Sequence, residues 1–212
     1  MLPLSPEVMV LLASAASIAF LHTMMGPDHY LPFVSMAVAR RWSWGKVLSI
    51  TLICGSGHVL GSVLLGLLGI WLQAEAGDLV SIEGWRGDLA AWLLFSFGLV
   101  YLAWGIRYAG RHEVHRHSST RPQWIIFIVF ILGPCEPLIP LLMYPAAKAS
   151  IAGVLLVTGV FALVTLMTML VAVALSYYSI QKIHFCGMSR YEHALAGATI
   201  STCGASILFL GL

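Results

Sequence analysis

Between His22 and Pro32 the chain reads HTMMGPDHYLP, which places two imidazoles, a carboxylate, a Gly-Pro pair and a second proline within eleven residues. Imidazole nitrogens with a carboxylate suit Ni, Co, Cu, Zn or Fe, and a site poor in thiolates disfavours Cu(I). On an unbroken helix His22 and His29, seven residues apart, share a face. Pro27 and Pro32 have no N–H to give to the carbonyls of Thr23 and Asp28, four residues back, which leaves two oxygens as further ligands. The plainer alternative is a neutral histidine bonded to Asp28 in a structural network. Three polar groups at one helix break favour a ligand set.

Other stretches extend this chemistry. CGSGHV, residues 54–59, puts Cys54 and His58 one helical turn apart and on one face. Gly55, Gly57 and Gly61 leave that helix smooth enough for close contact with a neighbour. His58 is expected to complete the site around His22, Asp28 and His29; Cys54 is the weaker candidate, because a small buried thiol is ordinary packing. GPCEPLIP, residues 133–140, holds Cys135 and Glu136 among three prolines. A carboxylate in a membrane needs a partner or a proton, so Glu136 is expected to compensate a cation or to carry a coupling proton. RHEVHRHSSTR contributes His112, His115 and His117, a short His-rich tract able to hold metal weakly or simply a solvated loop. His184 and His193 fall near span ends and are expected to be interfacial.

The elements that must position these groups follow from composition. The 212 residues are 59% hydrophobic and 9% charged, with mean hydropathy +0.91. Soluble domains are about one quarter charged, so the chain is expected to lie in a lipid bilayer. Residues 1–21 lack a basic n-region and a clear small-residue cleavage site, and are expected to be a retained helix. Cys54, Cys135, Cys186 and Cys203 form no CxxC pair, which argues against a disulfide framework or a zinc finger. The formal charge of +2 says little by itself, and nothing in the sequence suggests nucleic-acid binding.

Six hydrophobic spans are expected, at 7–39 (interrupted at 26–32), 47–72, 88–106, 123–147 (interrupted at 133–140), 151–178 and 193–212. Each is long enough to cross about 30 Å of hydrocarbon as a helix. Nine basic residues (Arg40, Arg41, Lys46, Arg107, Arg111, Arg116, Arg121, Lys182 and Arg190) fall in links on one side. The other side has Arg86 and Lys148 with the acidic run Glu75, Asp78, Glu83 and Asp88. The positive-inside rule then puts both termini outside the cytoplasm.

The two halves resemble each other. Gly26-Pro27 is matched by Gly133-Pro134, 107 residues later, and Gly98 and Gly105-Ile106 by Gly204 and Gly211-Leu212, 106 residues later. Two anchors at nearly one offset imply an all-α membrane protein of six transmembrane helices in a 3+3 inverted repeat, with helices 1 and 4 broken. The repeats are 1–106 and 123–212, separated by a basic, His-containing cytoplasmic loop at 107–122. Transporters of this design bind their cargo near the midplane, on the broken helices.

His22, Gly26, Asp28 and His29 resemble the H-x3-G-x-D-H motif of the hydrogenase/urease accessory permeases within the nickel/cobalt transporters. A proline usually follows the first His there, whereas here it is Thr23. The broader nickel/cobalt signature has a four-residue gap before D-H; here the gap is five. GSGHV is similar to the second His motif of UreH-like nickel/cobalt efflux proteins, and 112–117 to their His-rich loop. The resemblance implies passage of Ni2+ or Co2+ through a site of His22, Asp28, His29 and His58. It further implies an inner-membrane location, service to a metallochaperone or metalloenzyme maturation system, no covalent cofactor and no enzymatic activity.

Gly133-Pro134-Cys135 also resembles the GPC motif of the cytochrome c biogenesis and DsbD-type thiol electron carriers, which use one such Cys in each half. The first-half counterpart of Cys135 is Asp28, so that dithiol is absent unless Cys54 substitutes. A small-anion exporter is the third reading, and Asp28 and Glu136 argue against it by repelling an anion. Metal transport is the preferred expectation. Because metal binds neutral imidazole, it should weaken as pH falls through ~6.5.

Overall fold

Long apolar runs with few internal breakers become helices here, and the Gly-Pro pairs become their ends. A computed structural model describes residues 6–72, 76–110, 123–133, 135, 137–147, 151–182 and 189–211. The described chain forms eight α-helices: α1 Pro6–Met25, α2 Leu31–Ala39, α3 Trp44–Trp71, α4 Ala76–Ala109, α5 Gln123–Leu132, α6 Leu138–Ala147, α7 Ile151–Lys182 and α8 Glu192–Leu210. A 3-10 turn at Pro27–His29 separates α1 from α2, and another at Ser189–Tyr191 precedes α8. No strand occurs among the described residues.

Five of these helices are long and apolar enough to cross a bilayer: Pro6–Met25, Trp44–Trp71, Gly77–Ala109, Ile151–Lys182 and Glu192–Leu210. The stretch expected as a fourth span interrupted at 133–140 forms two ten-residue helices, α5 and α6. Each is only about 15 Å long, half of a hydrocarbon core. Large apolar side chains face outward on every long helix, among them Val10, Leu64, Val100, Leu155, Leu175 and Phe209. An aqueous surface of that kind would aggregate, whereas lipid tails accept it. Trp44 and Trp71, both exposed, stand about 40 Å apart along α3, the separation of the two headgroup levels where tryptophan is favoured.

Local chemistry explains the ends. At the close of α1 the Gly26 N–H still donates to the His22 carbonyl (3.1 Å), but Pro27 has no N–H to continue the ladder. α2 ends in a Schellman motif: Arg41 N–H donates to Val38 and Trp42 N–H to Ala37, with Arg41 at φ 48°. Tyr177 of α7 secures that turn by donating to the Trp42 carbonyl (2.6 Å).

α4 and α8 run antiparallel in close backbone contact, Gly98 against Ser201 and Gly105 against Ala194, with Gly197 against Leu102 and Gly204 against Phe95 in return. A Cβ on Gly98 would fall on the Ser201 backbone nitrogen. No side-chain rotation relieves a collision with backbone, so Gly98→Leu is expected to separate the two helices. A fall of 10 °C or more in the thermal midpoint in detergent is expected, and an unchanged midpoint would show that the helices need no such contact.

The third span differs most from expectation. Residues 76–87, placed ahead of the expected third span at 88–106, belong to α4. Glu83 is fully buried and pairs with Arg86 at 2.8 Å across one helical turn. They were misplaced because two charges lower local hydropathy whether or not they neutralise each other.

Candidate metal centre

Three histidines from two segments meet at the end of α1. His22 lies on the last turn of α1, His29 ends the 3-10 turn, and His58 sits in the middle of α3. Ring centroids are 4.8 Å apart for His22–His29, 5.1 Å for His29–His58 and 6.5 Å for His22–His58. The unbroken-helix argument for His22 and His29 fails, because the helix stops at Met25. The 3-10 turn nevertheless folds His29 back against His22.

Two of the rings are aimed by a backbone oxygen or a carboxylate. His29 Nδ1 lies 3.1 Å from the Gly26 carbonyl and 3.2 Å from Asp28 Oδ1. Both partners accept, so Nδ1 carries the proton and Nε2 presents its lone pair. His58 Nδ1 is 3.3 Å from the Phe130 carbonyl on the last turn of α5, and the same logic leaves its Nε2 bare. Nε2 of His22, His29 and His58 are all buried without a hydrogen-bond partner among the described residues. Unpartnered buried nitrogens are costly, and three of them in neighbouring rings make a candidate ligand set. One ring nitrogen from each histidine lies within 4.8 Å of the others. An ion at about 2.1 Å from each nitrogen would draw the rings closer together.

Gly26 makes this packing feasible. A Cβ there would stand 2.5 Å from His29 Nδ1 and 2.8 Å from Asp28 Oδ1. Its φ of −85° is open to any residue, so glycine is required for space and not for conformation. Gly133 plays a milder version of the role, its would-be Cβ 3.3 Å from His58 Nδ1.

The cluster opens on a cleft of about 710 Å³ whose polar lining includes His22, Asp28, His29, His58 and Asp88. Ile18, Leu94, Val129 and Phe130 supply apolar walls. Asp88 of α4 and Gly211, just past the end of α8, also line the cleft.

Not every candidate joins. Asp28 stands beside the three nitrogens, with its Oδ1 bonded to His29 Nδ1, the arrangement that orients a metal-ligating imidazole. Cys54 is buried in the main hydrophobic cluster and outside the nitrogen set. Cys135 is buried in a separate cluster against Ala19, Leu138 and Phe161, its N–H donating to Ser62 Oγ (3.1 Å). Glu136, His112, His115, His117, His184 and Cys186 lie outside the described residues. His193 is bonded to the Tyr101 hydroxyl (2.8 Å) at the far end of α4. Sequence reasoning missed Arg86, whose second guanidinium nitrogen donates to the Ile131 carbonyl (2.9 Å). Its only signal was an acidic residue three positions earlier. Searches of protein-family models, curated proteins and solved structures find no match to this chain.

Proposed function

We propose that the chain is a permease for a divalent transition-metal cation, nickel or cobalt first, bound as cargo by His22, His29 and His58. The observation that carries this reading is the convergence of three unpartnered, buried Nε2 atoms on a cleft. Imidazole with no thiolate in the set suits Ni2+ and Co2+. Asp28 supplies negative charge next to the cation and holds His29 in the metal-binding tautomer. Asp88 would draw cations to the mouth of the cleft, and Glu136 is the candidate for charge compensation or a coupling proton.

In this reading α5 and α6 together make the fourth of six spans, and the chain is a 3+3 inverted repeat. Packing supports it through paired contacts: α1 lies on α7 as α5 lies on α3, α2 on α7 as α6 on α3, and α4 meets α8. A two-fold relation between the halves generates that pattern. The basic links face the cytoplasm, the termini and Asp88 face outward, and the membrane is the inner one.

Proteoliposomes loaded with a metal-sensitive dye test the proposal. Wild type should pass Ni2+ or Co2+, His29→Ala should be near background, and Cys54→Ser should resemble wild type. The flux should fall as pH drops, because protons compete with the metal for neutral imidazole. Equal flux in wild type and His29→Ala would sink the site.

A further inference from the structure

We infer that Arg86 is a positioning residue for the metal site, acting on His58 through the end of α5. The inference rests on the histidine site proposed above and adds to it a residue that touches no ligand.

α5 stops at Leu132, so the carbonyls of its last turn are open to donors from other helices; the Gly133 N–H reaches Val129 (2.9 Å) and, at 3.2 Å, Phe130. Two of them are taken by other helices. The Phe130 carbonyl receives His58 Nδ1 from α3, and the adjacent Ile131 carbonyl receives Arg86 Nη2 from α4. A cation at a helix C-terminus is favourably placed against the partial negative charge there. Arg86 Nη1 is meanwhile held by Glu83 Oε1 at 2.8 Å, so the guanidinium cannot swing toward the cleft without breaking an ion pair.

Gly61 completes the arrangement. It lies three residues beyond His58, on the same face of α3. A Cβ at Gly61 would stand 2.9 Å from Arg86 Nη2 and 3.0 Å from the Ile131 carbonyl oxygen. One hydrogen bond is thus the meeting point of α3, α4 and α5, a single turn from the imidazole. Lysine offers one ammonium where this geometry uses two separate guanidinium nitrogens. A buried charge pair is a poor device for stability alone. Here it holds the α5 end at the distance at which Phe130 can fix the His58 tautomer.

The experiment uses the full chain in detergent, with two readouts for wild type, Arg86→Gln, Arg86→Lys and Gly61→Ala. The first is the 15N imidazole spectrum of the metal-free protein, which reports the protonated nitrogen of His58. The second is Co2+ titration followed by its visible absorption. Wild type should show His58 protonated at Nδ1. Arg86→Gln and Gly61→Ala should mix the tautomers and weaken Co2+ binding about 10–100-fold, the usual cost of losing an outer-shell partner. Arg86→Lys should fall between. Gly61→Ala keeps both charges, so it carries the test if Arg86→Gln does not fold. Unchanged His58 tautomer and Co2+ affinity in folded Arg86→Gln or Gly61→Ala would overturn the inference. Tautomer mixing in the variants of a protein that binds no Co2+ would instead uphold the positioning role and reject the metal reading.

Discussion

His58→Ala is expected to weaken Ni2+ or Co2+ binding by more than about 100-fold and to abolish transport. Loss of an outer-shell partner alone costs about 10–100-fold, and His58 would contribute a donor atom itself. Its Nε2 is one of the three buried ring nitrogens at the cleft without a hydrogen-bond partner among the described residues, and of these it alone comes from α3. Without it the remaining ligands, His22 and His29, come from one short segment and hold an ion from one side only. The ring is also buried, so its removal leaves a hole and leaves the Phe130 carbonyl with only the Gly133 N–H as a donor. A parallel His22→Ala variant separates loss of a ligand from loss of packing, because His22 is only half-buried. Isothermal titration with Co2+ and thermal unfolding on the same samples decide the matter. Both variants should unfold cooperatively and both should lose the metal. Wild-type affinity in either would remove that histidine from the ligand set.

Gly26→Ala is the second large effect, and it tests geometry without deleting a ligand. The backbone at residue 26 suits alanine, so the helix break should survive. The new methyl carbon would lie 2.5 Å from His29 Nδ1 and 2.9 Å from its Cε1, far inside van der Waals contact. The imidazole must rotate away, and it then loses both the Gly26 carbonyl and Asp28 Oδ1. Nε2 no longer points at the other two nitrogens. Cobalt affinity should fall at least about tenfold, into the range set by losing outer-shell support, with a thermal midpoint within a few degrees of wild type. If Gly26→Ala binds cobalt as wild type does, the observed packing of His29 is not the metal-binding one.

Apolar runs, proline stops and residue types are local properties, and they were legible in the chain. The first helix ends within a residue of Gly26-Pro27, and α5 ends just before Gly133-Pro134. The three imidazoles that converge were all named as candidates, because His is rare within apolar spans and costly there without a purpose. Asp28 was expected as a direct ligand; its position beside His29 depends on the path of a 3-10 turn, which spacing does not encode. Cys54 shares a helical face with His58, yet the packing of α3 buries it in the hydrophobic cluster instead.

Burial and long-range partnership were settled only by the folded structure. Hydropathy counts each charge separately, so Glu83 and Arg86 read as a loop, whereas folding neutralises them against each other inside α4. Whether a carbonyl at a helix end meets water or a side chain from another helix is likewise a long-range fact. Arg86 is 45 residues from the Ile131 carbonyl it binds, and His58 is 72 from Phe130. The chain determined which groups are present and where its helices stop. Only the packing of α3 against α5 and the end of α1 brought His58 to the other two imidazoles, because its ring is held by a carbonyl 72 residues away, whereas His29 is held by its own neighbours Gly26 and Asp28.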